Sequence, residues 1–165
     1  MTETELESLA RAVGARLKAV GLMLATAESC TGGGVAQAVT AVSGSSEWFD
    51  RGFVTYSNEA KQEMLGVRGE TLARHGAVSE ETAREMALGA LAHSHAGVSL
   101  AVTGVAGPTG GTAAKPVGMV CFAWARRGAA PETETRRFDG DRARVRRESA
   151  AVALEGVLRQ LGEPR

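Results

Sequence analysis

This chain of 165 residues lacks a charge excess, a set of paired cysteines and any long apolar run. Its 19 basic and 19 acidic residues give a formal net charge of zero, which argues against a nucleic-acid or membrane-surface binder, because those partners require a positive face. No apolar run approaches the length of a membrane span, and the N-terminus has no apolar signal core. The two cysteines, Cys30 and Cys121, suggest no disulfide framework. We therefore expect a cytoplasmic protein with neither a membrane nor a nucleic-acid partner.

Aromatic residues are also scarce, at 4% of the chain, whereas hydrophobic residues make up 44%. That share is enough for a core, and small aliphatic side chains suit close packing of helices on a sheet. The length fits one domain of common size. The three histidines, His75, His93 and His95, do not have the spacing of metal ligands. We therefore expect one folded domain over residues 1–165, with no bound metal.

Apolar patterns and cap residues predict strands that alternate with helices. The predicted strands cover residues 22–27, 53–56, 98–102, 117–125 and 133–138. The predicted helices cover residues 2–19, 32–41, 58–65, 69–74, 80–95 and 142–161, and Gly162 and Pro164 end the last one. This alternation indicates a single three-layer α/β/α domain. A short turn joins the last two strands, which indicates a mixed, mostly parallel sheet.

One stretch, residues 26–34, combines a predicted strand end, a turn and a helix start. The turn carries the hydroxyl of Ser29, the thiol of Cys30 and three successive glycines. A helix start offers backbone N–H groups and a positive dipole end, and glycine lets a ligand approach the backbone. Acyl transfer requires a nucleophile beside such donors. The stretch therefore predicts a hydrolytic or anion-binding site.

Local sequence leaves the roles of these residues open. Ser29 is also a favoured helix N-cap, and the Gly-x-Ser-x-Gly elbow of α/β-hydrolases is missing. Cys30 is a rival nucleophile if the helix start lowers its pKa, and otherwise a small buried side chain. Lys61 can act as a general base only if burial lowers its pKa, and a solvated helix lysine is the commoner case. Only three of the 19 basic residues are lysines. Because arginine is the usual cation in this chain, the choice of lysine at position 61 is weak support for a chemical role.

A second glycine-rich loop, residues 103–116, also follows a predicted strand. Loops at the carboxyl ends of strands are where α/β sheets bind ligands, and glycines with hydroxyls suit a phosphate. The spacing is not that of a Walker loop, and a flexible crossover is the alternative. Arg142 and Arg146 share one face at the start of the last helix, where cations oppose the dipole. A ligand phosphate, nearby aspartates or a partner subunit would compensate the positive charge of these arginines. The favoured interpretation is that this helix face contacts solvent or a partner subunit.

Taken in order, these motifs resemble the CinA C-terminal domain family, whose stand-alone members are nicotinamide-nucleotide amidohydrolases. The resemblance covers residues 6–161. The matching segments are residues 26–33, 44–46, 56–58 with Lys61, 65–67, 76–79, 103–108 with Gly110 and Gly111, 115–118, and 140–142 with Val145 and Arg146.

The resemblance implies hydrolysis of the carboxamide of nicotinamide mononucleotide to nicotinate mononucleotide and ammonia, with no metal or other cofactor. It implies Ser29 as the nucleophile, Lys61 as its base and Tyr56 as an assisting hydroxyl. Backbone N–H groups of residues 30–33 would stabilise the oxyanion. The implied substrate-binding residues are Cys30, Thr31, Gly32, Gly33, Thr103, Gly104, Gly107, Gly110, Gly111 and Arg142.

The resemblance also implies a homodimer or a higher homo-oligomer that acts on a small nucleotide. Longer family members carry a nucleotide pyrophosphatase domain before this region, and we expect that activity to be absent. The alternative function is a non-catalytic nucleotide-binding accessory protein linked to competence or stress.

Overall fold

A computed structural model describes residues 1–162, and within them one five-stranded sheet has the order β2-β1-β3-β4-β5. Its strands are β1 (Leu24–Glu28), β2 (Phe49–Val54), β3 (Val98–Gly104), β4 (Met119–Arg126) and β5 (Glu132–Arg137). β1 pairs in parallel with β2 and β3, whereas β4 pairs antiparallel with β3 and β5. Four of the five strands in the described residues therefore run in the same direction. The expected mixed, mostly parallel sheet is confirmed.

Helices cover both faces of this sheet. Within residues 1–162 the α-helices are α1 (Glu3–Val20), α2 (Gly34–Thr40), α3 (Asn58–Leu65), α4 (Gly69–His75), α5 (Glu80–Ala92) and α6 (Arg142–Gln160), with a short 3-10 helix at Ser45–Glu47. α1, α2 and α6 share one hydrophobic core with the sheet, and α3, α4 and α5 share a second core. Because successive strand residues point to opposite faces, Leu24 belongs to the first core and Ala25 to the second. The three-layer α/β/α architecture is confirmed.

Close packing on the second face fixes α3 against α5. Gly89 of α5 lies beside the carbonyl group of Leu65, the last residue of α3, and a Cβ at Gly89 would lie 2.0 Å from that oxygen. The small alanine side chains of the sheet on this face, including Ala27 and Ala101, belong to the same core. The position of α3, and of the lysine it carries, therefore depends on a contact that only glycine permits.

Most predicted helix ends agree with the structure. Thr2 and Glu5 form a capping box at the start of α1, Ser57 caps α3, Asp141 caps α6, and Gly66 ends α3 in the left-handed conformation. The predicted end of α5 was three residues too long. Gly162 follows α6 with a positive φ, whereas Pro164 lies outside the described residues.

The prediction for β2 was wrong by several residues. The strand covers Phe49–Val54 instead of residues 53–56, and it is an edge strand paired only with β1 in the described part of the chain. Its outer side is partly exposed, so its sequence has no apolar run that would predict a strand. Thr55 and Tyr56 have already left the sheet and lead into α3.

Two absences hold for residues 1–162. None of the helices there combines the length and apolar character that crossing a bilayer requires. The described histidine, cysteine, aspartate and glutamate side chains also form no group of three or more placed to hold a metal ion.

Candidate active site

The candidate site lies at the carboxyl ends of the parallel neighbours β1 and β3. β2 and β3 lie on opposite sides of β1 in the sheet. The connection from β1 to β2 runs through α2 on one face, and the connection from β2 to β3 runs through α3, α4 and α5 on the other face. Such a divergence opens a crevice beyond the strand ends, where α/β sheets bind ligands. A cleft of about 360 Å³ lies there. It is lined by Ser29, Cys30, Tyr56, Asn58, Lys61, Ala77, Val78, Thr103, Gly104, Val105, Ala106, Gly107, Thr109, Gly110 and Arg142.

Lys61 reaches from α3 to the hydroxyl of Ser29 across the base of this cleft. Its Nζ donates to Ser29 Oγ at 3.0 Å, to the Thr55 carbonyl at 2.9 Å and to the Tyr56 carbonyl at 3.4 Å. Helical side chains lean towards the N-terminus of their helix, which directs this lysine back over the first turn. Lys61 is only 1% exposed. The interpretation of Lys61 as a solvated helix lysine is therefore wrong.

Burial lowers the pKa of Lys61 below its ordinary value of 10.5. The cause is desolvation of the ammonium group, which the Coulombic effect of Cys30 opposes more weakly. The acceptors of its three hydrogen bonds are a hydroxyl and two carbonyl groups, with no carboxylate among them. Burial therefore makes the neutral amine, which is the form that can accept a proton, easier to reach than it is for a solvated lysine.

Ser29 does not cap the following helix. The N-cap of α2 is Gly33, which has no side chain to offer. The Ser29 N–H donates to Val102 of β3 at 2.9 Å, and its carbonyl accepts from the Gly32 N–H at 3.0 Å. The backbone of Ser29 is thus held by the sheet and the turn, while its hydroxyl faces Lys61. The capping interpretation is wrong.

Glu28, which the sequence interpretation passed over, performs the capping instead. This carboxylate is 1% exposed and accepts from the Thr31 hydroxyl, from Val35 N at 2.9 Å and from Ala36 N at 3.1 Å. It therefore occupies the positive end of α2, where the sequence predicted an anion-binding site for a ligand. The available signal was an acidic residue placed just before a helix start, at the end of an otherwise apolar strand.

Cys30 is buried, and burial disfavours its thiolate form. Desolvation is the largest of the causes that raise its pKa to about 12, and the charge of Glu28 adds to it. Arg146 and Lys61 lower the pKa by less. The thiolate is the nucleophilic form of cysteine, so the structure favours the alternative of a small buried side chain over an activated nucleophile. Cys121 is also buried.

Tyr56 and Arg142 meet at the mouth of the cleft. Tyr56 is 64% exposed, and its hydroxyl accepts from Arg142 Nη2 at 3.2 Å instead of contacting Ser29 or Lys61. Arg142 Nη1 donates to the Gly107 carbonyl at 2.9 Å. Arg142 therefore links Tyr56 to the second glycine loop, and the only direct bond from Tyr56 to Lys61 in the described chain uses the tyrosine carbonyl.

The cleft includes only part of the predicted binding set. Cys30, Thr103, Gly104, Gly107, Gly110 and Arg142 line it, whereas Thr31, Gly32, Gly33 and Gly111 do not. The Thr31 hydroxyl donates to Glu28, and Gly111 lies against the backbone of Val117. Thr103 lines the cleft, but its hydroxyl donates to the Ala77 carbonyl at 2.8 Å. These residues shape the loops instead of presenting free polar groups to the cleft.

Cleft residues outside the predicted set come from the start of α3, from the segment before α5 and from the second glycine loop. They are Asn58, Ala77, Val78, Val105, Ala106 and Thr109. Asn58 belongs to the same motif as Tyr56 and Lys61, and that proximity was the signal that could have identified it. Ala77 and Val78 also lie in a matching segment, residues 76–79, but apolar residues of a loop are read from sequence as packing positions.

Comparison with known proteins identifies the family of this chain. Residues 6–161 match the CinA C-terminal domain. Nicotinamide-nucleotide amidohydrolase PncC of Escherichia coli (strain K12) is 55% identical over 162 residues, which is 97% of this chain and 97% of that protein. PncC of Pseudomonas putida is 50% identical, covering 94% of this chain and 96% of the relative.

Solved structures show the same likeness. The competence/damage inducible protein CihA from Agrobacterium tumefaciens is 48% identical, with a TM-score of 0.91 and coverage of 96% of each chain. A competence damage-inducible protein A from Klebsiella pneumoniae is 42% identical with a TM-score of 0.92, covering 97% of this chain and 99% of the other. Because these matches span nearly the whole sequence, this chain belongs to the CinA C-terminal domain family.

Proposed function

We propose that this protein hydrolyses the carboxamide of nicotinamide mononucleotide to nicotinate mononucleotide and ammonia, with Ser29 as nucleophile and Lys61 as base. The observation that carries the proposal is the 3.0 Å hydrogen bond between Lys61 Nζ and Ser29 Oγ at a cleft. The choice of substrate is supported by relatives named nicotinamide-nucleotide amidohydrolase, one of them 55% identical over 97% of this chain.

The first step uses the neutral form of Lys61. A neutral amine has two N–H groups and one lone pair, and the carbonyl groups of Thr55 and Tyr56 can accept both N–H groups. The lone pair then faces the hydroxyl of Ser29. As Ser29 Oγ attacks the carboxamide carbon, its proton moves to Lys61, and the carbonyl electron pair moves onto the carboxamide oxygen.

The next steps return that proton and release both products. The Lys61 ammonium protonates the nitrogen of the tetrahedral intermediate, and the C–N bond breaks as the oxyanion re-forms the carbonyl group. Ammonia departs, and the acyl group remains bound to Ser29 as an ester. Lys61 then takes a proton from water, and the resulting hydroxide attacks the ester carbon. Ser29 regains its proton from Lys61 as nicotinate mononucleotide departs. Each turnover thus consumes one amide and one water molecule.

The nucleotide phosphate is best accommodated beside the second glycine loop. Arg142 lines the cleft on that side and is held against Gly107. Gly107 and Gly110 both line the cleft and both have positive φ values, which glycine adopts without strain. The helix start at α2 is a poorer phosphate site, because Glu28 occupies it.

Ammonia release tests this function directly. We expect the wild-type protein to release ammonia from nicotinamide mononucleotide and Ser29→Ala to lose at least about 10³-fold in kcat. Cys30→Ala is the matched control, since it removes the neighbouring buried thiol, and we expect it to retain turnover. Wild-type protein without ammonia release, or Ser29→Ala with undiminished release, would rule the proposal out. Saturable nucleotide binding without turnover would instead favour the accessory-protein alternative.

The homodimer or higher oligomer implied by the resemblance is also a proposal. Light scattering of the purified protein tests it: a mass twice that of the chain or larger supports an oligomer, and the mass of one chain contradicts it.

A further inference from the structure

Arg146 lies behind the turn that carries Ser29, and it is not part of the reacting pair. Its Nε donates to the Cys30 carbonyl at 3.2 Å, and its Nη2 donates to the Thr31 carbonyl at 3.2 Å. A Cβ added at Gly32 would lie 3.2 Å from Nη2, so the missing side chain makes room for the guanidinium. One planar side chain therefore holds two successive peptide groups of the turn.

We propose that Arg146 is a positioning residue that orients the backbone N–H groups that stabilise the oxyanion. The inference rests on the proposed amidohydrolase function. In a trans peptide the C=O and N–H bonds point in opposite directions, and the one cis bond in the described chain joins Gly107 to Pro108. Because Arg146 holds the Cys30 carbonyl, the N–H of Thr31 is directed away from the arginine.

Hydrogen bonds elsewhere in the turn identify which N–H groups remain available. The Ser29 N–H donates to Val102, the Gly32 N–H to Ser29 and the Gly34 N–H to Thr31. Glu28 accepts the N–H groups at the start of α2. Among residues 29–36, this leaves the N–H groups of Cys30, Thr31 and Gly33 without a carbonyl or carboxylate acceptor in the described structure. Of these three residues of the described chain, only Cys30 lines the cleft, and its own carbonyl is the group that Arg146 Nε holds. Cys30 directly follows the proposed nucleophile, and the residue in that position supplies an oxyanion donor in other serine hydrolases.

The charge of Arg146 adds to its geometric effect. A cation against a carbonyl oxygen polarises the peptide group and makes the N–H on its other side a stronger donor. The helix that carries Arg146 packs into the core, since Val145 and Ser149 are fully buried. The Ser149 hydroxyl donates to the Val145 carbonyl within the same helix. In contrast, the turn that Arg146 holds contains three glycines, which give it little stiffness of its own.

Arg146→Met, Arg146→Lys and the control Arg147→Met test the proposal in ammonia-release assays. Arg147 is the adjacent arginine and has no hydrogen bond to the turn in the described structure. We expect Arg146→Met to lower kcat about 10²-fold, as loss of an oxyanion donor does, with KM changed less than about threefold. Arg146→Lys should lose less, because one ammonium group can reach one of the two carbonyl groups. The pH at which activity falls on the acid side should not move, because Lys61 keeps its surroundings.

Hydrogen–deuterium exchange of the peptide that contains residues 29–34 provides a measurement independent of turnover. We expect faster exchange in Arg146→Met and unchanged exchange in Arg147→Met. Unchanged exchange in Arg146→Met, a loss expressed mainly in KM, or equal losses in Arg146→Met and Arg147→Met would overturn the proposal. If the wild-type protein releases no ammonia, the proposed function fails, whereas the exchange result still decides whether Arg146 holds the turn.

Discussion

At the scale of single residues, the proposed mechanism depends on the burial of Lys61. Its side chain is enclosed by groups from other parts of the chain, namely the Ser29 hydroxyl and the carbonyl groups of Thr55 and Tyr56. Local sequence could not predict this, because α3 is largely polar and nothing in it distinguishes a buried lysine from a solvated one. Family resemblance identified the residue, but the burial that lowers its pKa was found only in the fold.

The lowered pKa of Lys61 predicts the acid limb of the pH–rate profile. Only the neutral amine can accept the Ser29 proton, so kcat/KM should rise with pH and level off above an apparent pKa that is lower than 10.5. Initial rates of ammonia release across a buffer series measure this value. Activity that stays constant down to acid pH, or a limb centred at 10.5, would contradict the role of Lys61.

Lys61 should also lower the stability of the fold. Because its folded-state pKa is lowered, the unfolded state binds the proton more tightly, and the destabilisation is fully present below the lowered pKa. It disappears as pH rises towards 10.5, the ordinary value. At neutral pH we therefore expect Lys61→Met to raise the free energy of unfolding by about 1 kcal/mol while activity falls by about 10² to 10⁴-fold.

Lys18→Met is the matched control for that variant. Lys18 is exposed and pairs with Glu47 at 2.8 Å on the surface, so its loss should change stability by less than about 0.5 kcal/mol and leave activity unchanged. Denaturant unfolding and ammonia release measure both effects. A Lys61→Met protein that is less stable than wild type would contradict the burial argument.

At the scale of elements, the β1–α2 turn and the α3–α5 contact place the two halves of the site. Residue-level signals predicted the helix starts well, because a cap such as Ser57 or Asp141 acts within its own turn. They failed where a distant group performs the function, as Glu28 does for α2. They also failed for β2, whose partly exposed edge has no apolar run.

Gly89→Ala tests how the α3–α5 contact controls the site. The new Cβ would lie 2.0 Å from the Leu65 carbonyl oxygen, so α3 must shift, at a cost of about 1–3 kcal/mol in stability. Because α3 carries Lys61, we expect kcat/KM to fall together with the midpoint of thermal unfolding. Gly34→Ala is the control for stability, since a Cβ there meets nothing within 4 Å. Equal unfolding midpoints for the two variants would show that α3 does not depend on this contact.

At the scale of the whole molecule, the fold brings together residues far apart in sequence. Ser29 and Lys61 are separated by 32 residues, and Arg146 lies 116 residues from the Cys30 carbonyl that it binds. Alternating strands and helices predicted the layers of the domain, because each element follows from its own residues. Strand order and side-chain pairing across the cleft follow from tertiary packing, which a single sequence leaves open.

Substrate binding should stabilise the whole molecule. Ser29→Ala should still bind nicotinamide mononucleotide without consuming it, and a ligand at 100 times its dissociation constant stabilises the folded state by about 2.7 kcal/mol. We expect a rise in its unfolding midpoint that depends on nucleotide concentration and is reduced when Arg142→Met is added. A shift that is independent of Arg142 would contradict the position proposed for the phosphate.

The most direct test of the central claim is the site of acylation during turnover. Wild-type protein mixed with nicotinamide mononucleotide, quenched in acid within the first turnover and analysed by peptide mass spectrometry should carry the nicotinate mononucleotide acyl group on Ser29. Cys30→Ala should carry the same adduct at the same position. An adduct on Cys30, or undiminished hydrolysis by Ser29→Ala, would contradict a mechanism in which Lys61 activates Ser29.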